Sequence, residues 1–116
     1  MITGLDHIAV LCSSEESIEF YKKLGFEQTM RKDRENDIVL MMTGHGFTLE
    51  LFIDPSHPPR VNAPEAMGLR HLAFHVDNIE ETIAEYGLKC DPIKIIDGKK
   101  LAFFYDPDGL PLEFHE

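Results

Sequence analysis

Two histidines and two glutamates recur at nearly the same spacing along this chain of 116 residues. Glu50 follows His7 by 43 positions, and Glu113 follows His71 by 42 positions. Neutral imidazole together with carboxylate suits a borderline divalent ion such as zinc, nickel, cobalt, manganese or iron(II). The repeated pair therefore predicts one metal site with these four residues as ligands, in which the two carboxylates balance the charge of a dication.

The residues around each pair also correspond, which indicates an internal duplication. Residues 5–10 match residues 69–74, and residues 49–52 match residues 112–115. Because alternate residues of a strand face opposite sides, the neighbouring apolar residues fall on the face opposite each ligand. Those apolar residues are Leu49, Leu51 and Ile53 around Glu50, Leu72, Phe74 and Val76 after His71, and Leu112 and Phe114 around Glu113. The pattern predicts an apolar face for the core and a polar face for the site.

Each half of the chain has the pattern of one βαβββ unit. Residues 13–16 and 77–80 each supply a capping residue and a following glutamate, and Gly25 and Gly87 mark the helix ends, so two short helices are expected, the first of about three turns. Alternating or apolar runs between turn residues predict the strands. The predicted strands are 5–12, 26–34, 38–42 and 47–53 in the first half, and 69–76, 89–96, 101–105 and 110–115 in the second.

Length and charge restrict the class of protein. A chain of this size forms about one domain, so we expect a single domain over residues 1–116, with repeat one at about 1–54, a proline-rich connector at about 55–68 and repeat two at about 69–116. The formal charge of −10 disfavours nucleic acid as a partner. No signal segment or apolar run of about 18 residues is present, which predicts a cytoplasmic protein without a membrane span. Cys12 and Cys90 are expected to be reduced.

The remaining histidines and two arginines are weaker candidates. His75 and His115 share faces with the ligands and could line a pocket, whereas His45 and His57 fall in loops; for all four, a solvated or pocket-rim position is the expectation. Arg60 and Arg70 could meet an acidic substrate, but exposed arginines are usually solvated or paired at the surface.

Paired βαβββ units with His, Glu, His and Glu on the first, fourth, fifth and eighth strands resemble the vicinal oxygen chelate superfamily, whose members include glyoxalase I. The most specific stretches are residues 5–10, 68–74 and 106–113, the last of which is similar to small bacterial glyoxalase-like members. The resemblance implies an α+β fold in which two tandem repeats form a cup-like curved mixed sheet around a metal site. It also implies one divalent metal per site, a small-molecule substrate and a homodimer.

The resemblance further implies a reaction class. Fosfomycin-resistance enzymes and extradiol dioxygenases generally use two His and one Glu, so the additional Glu50 favours a glyoxalase-type lyase or isomerase with nickel, cobalt or zinc. Such an enzyme transfers a proton next to a metal-bound carbonyl through an enediolate. By resemblance to glyoxalase I, Glu113 is the main base and Glu50 its counterpart.

Two positions depart from the glyoxalase pattern, and two other functions stay open. Leu11 and Asp54 stand where glutathione-using bacterial glyoxalases tend to carry Arg and Asn, so the thiol of a hemithioacetal substrate is undetermined. An acyl-CoA epimerase of the methylmalonyl-CoA type would use the same two carboxylates. A non-catalytic drug-binding protein of the bleomycin-resistance type would share the fold.

Overall fold

The computed structural model describes all residues from 1 to 116. By its internal contacts the chain divides into two units, Met1–Pro58 and Pro59–Glu116. The division falls within the predicted connector, and each unit is a βαβββ motif. The predicted α+β fold class of tandem βαβββ repeats is therefore confirmed, whereas a single domain over residues 1–116 stays a prediction.

The first unit contains one four-stranded sheet with the strand order β1-β4-β3-β2. Strand β1 is parallel to β4, and the other neighbours are antiparallel. Its elements are β1 (Ile8–Cys12), α1 (Glu16–Lys23), β2 (Glu27–Asp33), β3 (Ile38–Gly44) and β4 (Phe47–Ile53). Aromatic rings connect helix α1 to β4. The ring centroids of Tyr21 and Phe26 lie 6.3 Å apart and those of Phe26 and Phe47 lie 5.4 Å apart, both in edge-to-face geometry.

The second unit repeats this topology with the strand order β5-β8-β7-β6. Strand β5 is parallel to β8, as β1 is to β4. The elements are β5 (Leu72–His75), α2 (Ile79–Tyr86), β6 (Lys94–Ile96), β7 (Lys99–Tyr105) and β8 (Pro111–His115). The Phe114 ring on β8 packs against the Phe104 ring on β7, with a centroid distance of 4.4 Å, and against the Tyr86 ring on α2, with a centroid distance of 6.4 Å. The same topology in both units supports the internal duplication.

The burial of the strands confirms the predicted faces. In β4, Leu49, Leu51 and Ile53 are buried, and Glu50 points to the other face, where it is partly exposed. In β8, Leu112 and Phe114 are buried, and Glu113 on the opposite face is buried as well. Glu113 therefore lies on a strand that is covered on both faces, which the alternation of residue types does not predict.

Three predicted strands are shorter by at least three residues in the structure, and two others by one or two. Strand β1 begins at Ile8 rather than residue 5, and β5 begins at Leu72 rather than residue 69, so His7 and His71 lie immediately before their strands. Strand β6 covers three residues instead of 89–96. Pro92 explains this difference, because it has no N–H to donate to a sheet and leaves the preceding segment with an isolated bond from Asp91 N to Phe103 O.

The two helix starts differ in how they are capped. Asn78 is the N-cap of α2 and accepts a bond from Glu81 N at 2.9 Å, as the sequence predicts. Helix α1 has eight residues, about two turns rather than three, and its N-cap Glu15 forms no side-chain capping bond. Ser14 Oγ, one residue before this N-cap, accepts a bond from Glu16 N at 3.3 Å.

Ser17 on α1 supplies a first stability prediction. Its side chain is fully buried, and its hydroxyl has no hydrogen-bond partner. Ser17→Ala removes this hydroxyl and raises helix propensity, so we expect the free energy of unfolding in urea to rise by about 0.5 kcal/mol. Ser14→Ala, two residues before the same helix, is the matched control and should lose about 0.5–1 kcal/mol with the bond that Ser14 Oγ accepts from Glu16 N. A loss of stability in Ser17→Ala would contradict the prediction.

Candidate metal centre

The first candidate pair is formed by His7 and Glu50. His7 lies one residue before β1, and Glu50 occupies the middle of the adjacent strand β4, opposite Ala9. The distance from His7 Nε2 to Glu50 Oε1 is 3.5 Å, and the side chains are 37% and 16% exposed. The parallel pairing of β1 with β4 therefore brings together two residues that are distant in the sequence.

Asp6 fixes the orientation of the His7 ring. Asp6 Oδ1 lies 2.7 Å from His7 Nδ1. This bond and, more weakly, the negative charge of Glu50 raise the pKa of His7, although partial burial acts in the opposite direction. When Nδ1 donates to Asp6, the lone pair of Nε2 is free for a metal ion, as in the carboxylate–histidine arrangements of many metal sites. Asp6 is not among the residues predicted for the site, although its position directly before His7 was an available signal.

The second candidate pair is formed by His71 and Glu113. His71 lies one residue before β5, and Glu113 occupies the middle of β8, opposite Ala73. The distance from His71 Nε2 to Glu113 Oε2 is 3.0 Å, and the side chains are 28% and 9% exposed. Phe103 lies beside Glu113 on β7, and its ring meets the His71 ring edge-to-face at 5.3 Å. His71 thus contacts the aromatic ring of Phe103, whereas His7 contacts the carboxylate of Asp6.

Both pairs have the donor chemistry of a divalent metal site. Each offers an imidazole nitrogen and a carboxylate oxygen within 3.5 Å of each other. Neither Glu50 nor Glu113 forms an ion pair with a lysine or an arginine, so both carboxylates are available to a cation. The residues therefore fit such an ion. The structure shows the ligands as two pairs and contains no group of three or more metal-suited side chains, so one site of all four stays a prediction.

The other histidines have different surroundings. His75 and His115 lie opposite each other on β5 and β8, exposed and half-buried respectively. His57 Nε2 lies 3.6 Å from Asp54 Oδ2 in the loop after β4. His45 is exposed in the β3–β4 turn, in line with the expected solvated position, but its Nε2 also lies 2.7 Å from Leu24 O and its ring packs edge-to-face on Phe26. His45 therefore joins the β3–β4 turn to the end of α1.

The two candidate arginines are engaged within the connector. Arg70 forms a bidentate ion pair with Glu65 at 2.8 and 2.9 Å. This hydrogen-bonded pair lowers the pKa of Glu65. Arg60 bonds to Asn62 and to backbone carbonyls. The expected surface pairing is thus confirmed for Arg70, whereas Arg60 bonds to an amide oxygen and two backbone carbonyls instead of a carboxylate.

The two positions that depart from the glyoxalase pattern are both in the first unit. Leu11 is 56% exposed on β1. Asp54 follows β4, and its Oδ1 accepts a bond from Ser56 N at 2.9 Å. The hydrogen bonds from Ser56 lower the pKa of Asp54. Asp54 is thus held as a carboxylate in a local turn. Cys12 and Cys90 form no disulfide, and no helix of the chain is long and apolar enough to cross a membrane.

Comparison with known proteins places the chain in a family. A model of the Glyoxalase/Bleomycin resistance protein/Dioxygenase superfamily matches residues 4–114. The chain therefore belongs to this superfamily, as the resemblance in the sequence predicted. It is 39% identical to the uncharacterized protein YwkD of Bacillus subtilis, covering 100% of this chain and 98% of that protein. It is 38% identical to the uncharacterized protein YaeR of Escherichia coli, covering 95% and 93%.

Solved structures of the same fold include proteins of several functions. A glyoxalase family protein from Enterococcus faecalis superposes with a TM-score of 0.88 at 43% identity, covering 97% of each chain. The fosfomycin resistance protein FosX of Listeria monocytogenes, the lactoylglutathione lyase of Agrobacterium tumefaciens and the antibiotic-binding protein TnmS3 of a Streptomyces share the fold at 18–22% identity. One FosX structure contains Mn(II). Because this fold supports different functions, the activity has to be argued from the site.

Proposed function

We propose that this protein is a metal-dependent lyase or isomerase of the glyoxalase type. The observation that carries the proposal is the presence of two His–Glu pairs at corresponding places in the two units, with nitrogen–oxygen distances of 3.5 and 3.0 Å. In each unit the histidine precedes the first strand, and the glutamate lies in the middle of the parallel neighbour. A structural role for one such pair would not require the other.

In this proposal His7, Glu50, His71 and Glu113 hold one divalent ion, with nickel, cobalt or zinc as the expected metals. An ion held there would polarise a carbonyl oxygen of the substrate and would stabilise the charge that develops when an adjacent carbon loses its proton. The two histidines act as ligands only. Asp6 and Phe103, which contact the two imidazole rings, keep them in place.

Glu113 is the proposed main base. Its carboxylate is only 9% exposed, whereas Glu50 is 16% exposed, so Glu113 is the more shielded from water. For a hemithioacetal, Glu113 takes the proton from the carbon that carries the sulfur and hydroxyl and returns it to the neighbouring carbonyl carbon. A hydroxyl proton moves to the other oxygen, so a hydroxyacyl thioester forms without any external oxidant. Glu50 would perform the same transfer on the opposite side.

Loading the purified protein with nickel, cobalt or zinc provides the test. We expect about one ion per site and turnover of methylglyoxal hemithioacetals made with glutathione or with other small thiols. Several thiols are needed, because Leu11 and Asp54 leave the thiol undetermined. A protein that binds no divalent metal would contradict both this proposal and an epimerase, and would leave the drug-binding alternative.

An acyl-CoA epimerase is the second candidate enzyme. The same two carboxylates favour it, because epimerisation requires a proton to leave one face of a carbon and to return on the other. Incubation of the metal-loaded protein with methylmalonyl-CoA in deuterated water separates the two activities. Deuterium exchange at the carbon beside the thioester, without turnover of any hemithioacetal, would favour the epimerase.

We propose that the protein works as a cytoplasmic homodimer on a small-molecule substrate. Each metal site then forms either within one chain or from two chains. A mixture of His7→Ala/Glu50→Gln chains with His71→Ala/Glu113→Gln chains distinguishes these arrangements. If two chains share a site, the mixed dimer regains one intact set of ligands and part of the activity. If each chain holds its own site, mixing restores none.

A further inference from the structure

Two side chains of the connector, Arg60 and Asn62, bond to the backbone before both strands of the second candidate pair. Arg60 Nη2 donates to the carbonyl oxygens of Leu69 and Arg70, each at 3.0 Å. Asn62 Nδ2 donates to Gly109 O at 2.7 Å. The two side chains are also joined, because Arg60 Nε donates to Asn62 Oδ1 at 2.7 Å. We refer to these four bonds as the Arg60/Asn62 clamp.

The Arg60/Asn62 clamp bonds to the backbone just before each residue of the second candidate pair. Arg70, whose carbonyl it holds, directly precedes His71, and Gly109 lies in the turn that leads into β8 and Glu113. The carbonyls of Leu69 and Arg70 are bonded by Arg60 rather than by a neighbouring strand. The backbone that carries His71 is thus fixed from outside the sheet.

We propose that Arg60 and Asn62 are positioning residues that hold His71 and Glu113 at the separation and orientation needed for metal binding. The proposal rests on the metal-dependent function proposed above. Ligands must be held within about 0.5 Å of their working geometry, and groups behind the ligands supply this restraint. At His7 the neighbouring Asp6 supplies it through the ring nitrogen, whereas Arg60 acts on the backbone before His71.

Arginine is suited to this position because its planar guanidinium directs several N–H groups in fixed directions. Arg60 uses Nε toward Asn62 and Nη2 toward two carbonyls. A lysine would keep the positive charge but could not reproduce this set of directions. Arg60→Lys therefore separates a geometric role from an electrostatic one. Asn62→Asp keeps the oxygen that accepts from Arg60 and removes the N–H group that donates to Gly109. It therefore breaks only the bond to the turn before β8.

The test combines metal affinity with the state of the histidine rings. Cobalt(II) titrations followed by visible absorption should show about tenfold weaker binding in Arg60→Ala, little recovery in Arg60→Lys and an intermediate loss in Asn62→Asp. In the metal-free protein, the NMR signals of the His71 ring should shift in Arg60→Ala while those of His7 stay unchanged. Arg31→Ala is the control, because Arg31 pairs with Asp33 and Glu15 in the first unit. Its cobalt affinity should stay within about twofold of the wild type.

The possible results separate the two proposals. If the wild-type protein binds no cobalt, the proposed function fails, but the NMR spectra still test the positioning role of the clamp. Shifted signals of the His71 ring in Arg60→Ala, with unshifted signals of the His7 ring, support that role. Unchanged His71 signals in Arg60→Ala and Arg60→Lys would overturn the clamp. Equal shifts of both rings would also overturn it, because they would indicate a general loss of structure.

Discussion

Glu113→Gln is expected to lower kcat/KM of the metal-loaded protein by about a thousandfold. Glutamine has nearly the same shape as glutamate but neither the negative charge that binds a cation nor the basicity that accepts a proton. General-base catalysis alone contributes about 10²–10⁴-fold. Steady-state kinetics on whichever hemithioacetal or acyl thioester the wild type converts, together with a metal titration, measure both losses. Metal affinity should fall by at least about tenfold.

Two controls separate this loss from unfolding. Glu85→Gln changes an exposed glutamate on α2 and should leave kcat/KM unchanged. Glu113→Gln should also keep the melting temperature of the metal-free protein, because the amide oxygen can still contact His71 and no lysine or arginine loses a partner. Glu50→Gln should weaken metal binding as well, with a smaller loss of kcat if Glu113 is the main base. Full activity of Glu113→Gln would rule out its role in proton transfer.

Asp106→Ala is expected to give the largest loss of stability among the turn residues, about 3 kcal/mol. Asp106 is 4% exposed, and its Oδ1 accepts bonds from Asp108 N at 2.9 Å and Leu110 N at 2.8 Å. Each bond to a charged group contributes about 1.5–3 kcal/mol, and alanine would leave two backbone N–H groups without this acceptor. Urea unfolding measures the change.

Asp106→Asn is the matched variant for this turn. It retains an acceptor oxygen for the two N–H groups but replaces the charge and the second oxygen with an NH2 group, so its stability should lie about 1 kcal/mol below the wild type. Because the turn leads into β8, we expect Asp106→Ala to weaken metal binding also in the fraction that stays folded. Equal stabilities of the alanine variant and the wild type would show that water replaces Asp106 at these N–H groups.

Much of this fold is predictable from local patterns. The order of the ten elements follows from periodicity and turn residues, and the face of Glu50 follows from the alternation around it. Strand ends were less predictable, because β1 and β5 begin three residues later than their apolar patterns. At β5 the parallel partner β8 begins only at Pro111, and the carbonyls of Leu69 and Arg70 accept from Arg60 instead.

The sequence by itself determined the duplication, the residue types of the candidate ligands and the side of the strand on which the glutamates lie, because these depend on spacing and on the period of a strand. Tertiary structure decided what surrounds them. It joined each histidine to its glutamate across parallel strands, placed Phe103 against His71 and buried Glu113 on the face of β8 opposite Leu112 and Phe114. It also joined His45 to the carbonyl oxygen of Leu24 and Arg60 to the carbonyl oxygen of Arg70, directly before His71. The physical reason is that these contacts join residues distant in the chain, so they exist only once the strands have paired.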